Sequence, residues 1–233
     1  MNKALAIIEH TPFASIGKIW FTTTEYLLTY AFIIALFYFL YDKRPWLLRL
    51  SMGYLLLLCI SISIKRYDLA NTRSIAFLNL RKNTKLIFKS GNNAIILSNL
   101  ADTDKNYSYS VQPYLDSNKV SNAKLYDFKQ HISAPYFKKQ GNLIQFYDKR
   151  ILIYNSELPN IQLPQKLKTD YLYITGNPYT DLHQIGKNYD YQGLVIDGSN
   201  TVKLINQLEG KAKEMNINYS ILKRNISLIA LSN

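Results

Sequence analysis

Two stretches of sequence decide the fold: residues 26–41 read YLLTYAFIIALFYFLY, and residues 45–64 read PWLLRLSMGYLLLLCISISI. The first has no charged residue, and together with Ile19–Glu25 before it is long enough for a helix to cross a hydrocarbon core of about 30 Å. The second has one charge, Arg49, placed where its long side chain can reach the headgroups while its stem stays in lipid. The pattern predicts two transmembrane helices, at about residues 19–41 and 45–64.

A pair of buried core helices in a soluble protein is the alternative interpretation of these runs. Aromatic residues flank both runs at positions typical of a membrane interface, namely Trp20, Tyr41, Trp46 and Tyr67. Two apolar runs of about 20 residues with such flanks favour the membrane. A lipid bilayer is therefore the first expected partner.

The linker between the two runs is very short, so the helices are expected to be antiparallel neighbours. Lys43 and Arg44 in the linker, with Arg49 nearby, favour a cytoplasmic turn by the positive-inside rule. Lys65 and Arg66 at the other end pull the opposite way. On balance, the charges predict that the soluble part lies outside the cytoplasm.

Residues 1–18 carry a short apolar run, Ala4–Ile8, that is too brief for the core of a signal peptide. Two interpretations fit this segment. It is either a retained lead-in lying along the membrane interface or the tail of a helix whose beginning has been lost.

Residues 65–233 have the composition of one soluble, strand-rich domain, and they are numerous enough to bury a sizeable core. The only cysteine, Cys59, lies in the second apolar run, so no disulfide can form within the chain. Most of the formal net charge of +12 falls in this domain, which favours nucleic acid or anionic lipid as a partner. The alternative is that the source has a proteome rich in lysine and asparagine. The domain would then be basic without any phosphate-binding role.

Short runs of strand-forming residues alternate with turn signals along this domain. The predicted strands are Ser74–Leu80, Thr84–Lys89, Ala94–Ser98, Tyr107–Gln112, Leu143–Phe146, Arg150–Tyr154, Tyr171–Thr175, Gly193–Asp197, Asn218–Leu222 and Ser227–Leu231. Tight turns are predicted at Ser90–Asn93 and at Asp148-Lys149. Helical periodicity covers Asn200–Met215, with Asn200 as N-cap, and a shorter helix is expected at Thr180–Lys187. The order of elements predicts an α+β domain, a mixed sheet with helices packed outside it.

Residues for catalysis are sparse. The three histidines, His10, His131 and His183, lie far apart, and none has a second ligand at metal-binding spacing. Asp181 lies two residues before His183, but such a pair is common on loops. No nucleophile elbow, phosphate-binding loop or dinucleotide fingerprint occurs. The sequence therefore predicts no catalytic residue, no cofactor and no metal site, and the chain is not expected to be an enzyme.

The turn Asp197-Gly198-Ser199-Asn200 has a structural and a catalytic interpretation. Gly198 permits a tight bend, Ser199 or Asn200 can cap the following helix, and Asp197 suits the positive end of that helix. The structural role is favoured, and Asp197→Ala is expected to cost about 0.5–2 kcal/mol, the range of a lost cap.

Several stretches, in their order around the two apolar runs, resemble the C-terminal end of the ComEC family of competence proteins, most closely the Bacteroidetes-type form. The matching stretches are Pro12–Ile16, Ile19-Trp20, Glu25–Tyr30, Ser74–Leu78 and Val195–Asn200. The resemblance covers nearly the whole chain. It implies a polytopic membrane protein of DNA uptake, located in the bacterial inner membrane, with its soluble domain in the periplasm.

The resemblance also implies that the soluble domain is similar to the metallo-β-lactamase fold, a sheet sandwich between helices. Tyr171–Thr175 would then be a central strand, followed by the loop that carries Thr-His-x-His-x-Asp-His in metal-binding relatives. Here the loop at residues 175–182 reads TGNPYTDL, without the histidine ligands. The domain is therefore expected to be degenerate, and a two-metal nuclease site cannot be assembled.

Family members carry many more spans and a further soluble domain, so the chain is expected to be a terminal piece of such a protein. Two helices enclose no lumen, so other membrane spans of a competence channel or further copies of the chain are expected partners. Two functions remain open. Either the basic domain guides single-stranded DNA without cutting it, or the chain is a membrane-anchored partner-docking domain with no DNA role. A metal-dependent hydrolase is a third interpretation, disfavoured by the ligand count.

Overall fold

The computed structural model describes residues 20–80, 83–99, 105–158, 162–222 and 228–232. The chain divides into two units. The first holds the described residues up to Ala70 together with Pro113–Lys119, and the second holds Asn71–Gln112 and the described residues from Val120 onward. The segment interpreted as an interfacial lead-in, residues 1–18, lies outside the described residues.

The first unit contains two long apolar helices, α1 (Thr23–Asp42) and α2 (Pro45–Asn71). Both are long and apolar enough to cross a membrane, and only 11% of the most apolar window of each is buried. Helix α1 begins later than the predicted position 19, because Thr22 and Glu25 form a reciprocal capping box that starts it. Helix α2 continues beyond the predicted end at Ile64, since no glycine or proline interrupts the next seven residues.

Lys65 joins the two helices at one end of the hairpin. Its Nζ donates hydrogen bonds to the backbone oxygen of Trp20, at 2.6 Å, and to Oε2 of Glu25, at 3.4 Å. At the other end, Lys43 adopts a left-handed conformation (φ 53°) and closes α1. Because the start of α1 meets the later part of α2, the helices run antiparallel, as predicted.

The remaining described elements are strands and three helices. The helices are α3 (Lys105–Ser117), α4 (Leu182–Asn188) and α5 (Val202–Glu214). The strands are β1 (Arg73–Leu80), β2 (Asn83–Ser90), β3 (Asn93–Ser98), β4 (Asn122–Tyr126), β5 (Ile132–Ala134), β6 (Phe137–Gln140), β7 (Leu143–Phe146), β8 (Lys149–Tyr154), β9 (Leu167–Ile174), β10 (Tyr189–Ile196), β11 (Asn218–Ile221) and β12 (Leu228–Ser232).

The strands form two mixed sheets. The smaller sheet has the order β12-β1-β2-β3-β4 and is antiparallel except for the parallel pair β3 and β4. The larger sheet has the order β11-β10-β9-β8-β7-β6-β5. Strands β8 to β11 of the larger sheet run parallel, whereas β5 to β8 are joined antiparallel.

Two apolar clusters hold the second unit together. One lies between the sheets, where Phe77 of the smaller sheet contacts Tyr173 of the larger, with ring centroids 5.3 Å apart, and Phe88 contacts Phe137, at 4.8 Å. The other packs α4 and α5 on the opposite face of the larger sheet, with Leu208 and Ala212 fully buried. An apolar helical hairpin followed by a mixed-sheet domain with outer helices is the predicted architecture, and it is confirmed.

Most of the local predictions agree with the structure. Gly91 (φ 57°) and Asn92 form the two-residue turn expected between Ser90 and Asn93. The next predicted turn lies one residue earlier than expected, at Tyr147 and Asp148, with Tyr147 at φ 51°.

The predicted strand Tyr107–Gln112 is wrong, because this segment belongs to helix α3. The alternation of Tyr107, Tyr109 and Val111 has the period of a strand, which explains the wrong prediction, whereas Val111 and Leu115, one helical turn apart, are both buried. Three further strands, β4, β5 and β6, were not predicted, since they are short and β6 reads FKKQ.

Candidate functional site

The carboxyl ends of three parallel strands lie side by side in the larger sheet. Tyr154 of β8 is in register with Ile174 of β9, and Ile174 with Ile196 of β10. Each strand is followed by a polar residue: Asn155, Thr175 and Asp197. In open α/β sheets, ligands bind at the carboxyl ends of the strands, so this edge is the first place to look for a site.

A cleft of about 540 Å³ lies at this edge. It is lined by the loops after β8, β9 and β10, by the β6–β7 hairpin and by the residues that follow β3 and β4. The lining residues are Asn99, Asp127, Phe128, Lys129, Lys139, Gly141, Asn142, Ile153, Asn155, Ser156, Glu157, Thr175, Gly176 and Ser199. The cleft is thus walled by amides and hydroxyls together with two lysines and two carboxylates, and it can accept a polar ligand.

Asp197 is buried at the inner end of the loop after β10. Its Oδ2 accepts hydrogen bonds from Oγ1 of Thr175, at 2.8 Å, and from Oγ of Ser199, at 2.6 Å. Thr175 in turn donates its backbone N–H to the carbonyl of Tyr154, at 3.0 Å. The Asp197 carboxylate and the Thr175 hydroxyl therefore join the ends of β9 and β10, and the backbone of Thr175 joins the end of β9 to that of β8.

Asn200 connects the loops that follow β9 and β10. Its Nδ2 donates to the carbonyls of Ile174 and Asp197, and its Oδ1 accepts from the backbone N–H of Asn177, at 2.7 Å. The expectation that Ser199 or Asn200 caps the following helix is wrong. Thr201 is the N-cap of α5, and Asn200 is buried because it serves the neighbouring loop instead.

Lys139 lies buried in the wall of the cleft, on β6. Its Nζ donates to the carbonyls of Gly141, at 2.7 Å, and Gln130, at 3.4 Å. Burial lowers the pKa of Lys139 below its ordinary value, and the nearby carboxylate of Asp127 partly opposes this effect. The two carbonyls thus hold the amino group of Lys139 in place.

The histidines do not converge on the cleft. His183 is exposed on α4, and its backbone N–H donates to Asp181, the N-cap of that helix. His131 is exposed just before β5. His10 lies outside the described residues.

The described side chains do not fit a metal centre of the kind that the resemblance to the metallo-β-lactamase fold implies. Among the residues that the structure describes, no three His, Cys, Asp or Glu side chains come together. Asp197 is engaged by two hydroxyls, while Asp181 caps α4 and pairs with Lys211 at 3.5 Å. We therefore derive no chemical step through a metal ion.

Sequence reasoning missed most of the cleft. Asn155 could have been found, because it follows directly on a predicted strand, and it accepts a 3.0 Å hydrogen bond from Asn142. Nothing in the sequence indicated that Lys139 is buried in the cleft wall, since a lysine in the run FKKQ suggests an exposed residue. Its burial follows from the facing sheet.

The fold and the site define a two-sheet α/β domain joined to an apolar helical hairpin, with a polar cleft at the carboxyl edge of the larger sheet. The chain belongs to the ComEC C-terminal domain family, whose profile matches residues 75–232. This match confirms the resemblance found in the sequence. Membership in this family indicates a role in competence DNA uptake, and with the two candidate spans it indicates a membrane protein.

Among solved structures, the chain is similar to the metallo-beta-lactamase fold protein YhfI from Bacillus subtilis, with 10% sequence identity and a TM-score of 0.42. The alignment covers 69% of this chain and 100% of that one. No curated protein matches the chain in sequence.

Proposed function

We propose that the chain is the non-catalytic C-terminal part of an inner-membrane DNA-uptake protein, and that its basic soluble domain guides single-stranded DNA. Membership in the ComEC C-terminal domain family supports the role in DNA uptake. The observation that supports a non-catalytic role is the hydrogen bonding of the Asp197 carboxylate. This buried carboxylate, behind the cleft residues Thr175 and Ser199, accepts hydrogen bonds from both of their hydroxyls and forms part of a structural network.

The distribution of charge supports a DNA-guiding role. Among the described residues of the second unit, ten exposed side chains are cationic, namely Arg73, Lys124, Lys129, Lys138, Arg150, Lys166, Lys168, Lys187, Lys203 and Lys213. The exposed carboxylates in the same residues number five, namely Asp127, Asp148, Glu157, Asp190 and Glu214. An excess of this kind attracts a polyanion and makes its affinity depend on salt.

In this proposal, the two helices cross the bacterial inner membrane, with the turn at Lys43 and Arg44 in the cytoplasm and the soluble domain in the periplasm. Apolar side chains are exposed along both helices. Because two helices enclose no lumen, they require partners to line a channel. Those partners are other membrane spans of a competence channel or further copies of this chain.

The test uses the full chain in detergent micelles. Binding of a fluorescent single-stranded oligonucleotide is measured across a salt series, and cleavage is assayed on the same sample with magnesium, manganese and zinc. We expect binding that weakens steeply with salt and no cleavage. Absence of binding would favour the partner-docking alternative, and metal-dependent cleavage would contradict the non-catalytic assignment.

A further inference from the structure

Tyr179 is unusual among the large apolar side chains of the second unit. Among the described residues of that unit, three such side chains are exposed: Tyr179, Val202 and Met215. Tyr179 has a relative exposure of 108%, so its ring extends fully into solvent. An aromatic ring in this position contributes nothing to the core, which leaves its role to be explained by what it can contact.

The loop that carries Tyr179 is firmly anchored. The backbone N–H of Asn177 donates to Oδ1 of Asn200, at 2.7 Å. The side-chain oxygen of Asn177 accepts from both the N–H and the hydroxyl of Thr201, at 3.1 and 2.8 Å. Pro178 and Thr180, on either side of Tyr179, are buried. The ring is therefore presented on a fixed backbone, which reduces the entropy cost of binding.

The same network places a second apolar side chain and a cation near this loop. Val202 and Lys203 follow Thr201 directly, and both are exposed at the start of α5. On the other side, the loop begins with Thr175 and Gly176, which line the cleft. An exposed ring, an aliphatic side chain and an ammonium group thus lie at the carboxyl edge of the larger sheet.

We propose that Tyr179 is a stacking platform for a base of single-stranded nucleic acid, with Lys203 contacting the adjoining phosphate. This inference rests on the proposed function and names the surface that performs it. Proteins that bind single strands without sequence preference combine aromatic faces with cations that follow the backbone, because every base offers a π-face. The net charge of +12 favours a polyanionic partner for this surface.

The test compares two probes on the full chain in detergent, an oligothymidylate and an abasic strand of the same length. Tyr179→Ala should lower affinity for the oligothymidylate by about 10-fold and leave affinity for the abasic strand unchanged, because only the former can stack. Tyr179→Phe keeps the ring and should bind both probes as the wild type does. Since Tyr179 is fully exposed, neither change removes a core contact.

Lys203→Glu should weaken binding of both probes and reduce the salt slope by about 1, as expected for one lost phosphate contact. Lys187→Glu is the matched control, an exposed lysine on α4 that should cause a smaller loss. If the wild type binds the oligothymidylate but Tyr179→Ala binds it equally well, or loses both probes equally, the stacking role is wrong. If the wild type binds neither probe, the proposed function itself fails.

Discussion

Thr175 Oγ1 donates a hydrogen bond of 2.8 Å to the carboxylate of Asp197, and this bond joins the ends of the neighbouring strands β9 and β10. Asp197→Ala should leave the hydroxyls of Thr175 and Ser199 without this acceptor. We expect a loss of about 1–3 kcal/mol in the free energy of unfolding, rather than the range of about 0.5–2 kcal/mol of a lost cap, since the buried hydroxyl of Thr175 loses a carboxylate partner. Thermal or denaturant unfolding in detergent measures it.

Asp190→Ala is the control for this prediction. Asp190 is an exposed carboxylate on the same strand, so its removal should change stability by no more than about 0.5 kcal/mol. Equal stabilities of the two variants would show that the network around Asp197 does not hold the strand ends together.

The burial of Lys139 predicts that the free energy of unfolding depends on pH. Because burial lowers its pKa in the folded protein, the unfolded chain binds this proton more tightly. The charged form therefore destabilises the fold near neutral pH, and this cost diminishes as the pH rises towards the ordinary lysine value of 10.5. Relative to Lys139→Met, the wild type should gain stability with rising pH over that interval.

Unfolding of both proteins at several pH values measures this difference. Lys138→Met provides the control, because Lys138 is exposed on the same strand. Lys138→Met leaves Lys139 in place and should keep the gain in stability with rising pH. A constant gap between the wild type and Lys139→Met would contradict the assigned cost of burying the ammonium group.

The contact between Lys65 and Glu25 is expected to stabilise the helical hairpin. Glu25 is buried, and Lys65 Nζ lies 3.4 Å from its Oε2. Lys65→Met should destabilise the hairpin by about 1–3 kcal/mol, because a buried carboxylate loses its charged donor. Arg66→Met, at the exposed neighbouring position, should have little effect. Glu25→Gln combined with Lys65→Met should lose less than the two single changes together, as measured by thermal unfolding in detergent.

The orientation of the soluble domain can be measured with cysteine labelling. Cys59 is the only cysteine, so Cys59→Ser provides a clean background. Ser156 is exposed in the second unit, and Ser156→Cys in that background should react with a membrane-impermeant maleimide in intact spheroplasts. Labelling that requires cell lysis would place the domain in the cytoplasm and contradict the proposed topology.

Where the structure agrees with the sequence, the signal was local. The two apolar helices follow from runs of side chains that favour lipid, and the turn at Gly91 follows from residues that tolerate positive φ. Strand β7 was predicted with its observed limits, Leu143–Phe146, because turn residues bound it on both sides.

Where prediction failed, residues distant in sequence decided the outcome. Tyr107–Gln112 is helical rather than extended, and Val111 and Leu115, one helical turn apart, are both buried. Asn200 was expected to cap a helix, but it serves the backbone of Asn177 and Ile174 in a neighbouring loop. No local pattern records such partners.

The sequence by itself therefore determined the apolar hairpin, the strand-rich basic domain and its family, because these depend on composition, periodicity and short motifs along the chain. Only the tertiary structure decided that Lys139 is buried in the cleft, that Asp197 is held by two hydroxyls and that Tyr179 is left in solvent. Burial and hydrogen bonding are set by which strands lie side by side, and that arrangement joins residues far apart in the sequence.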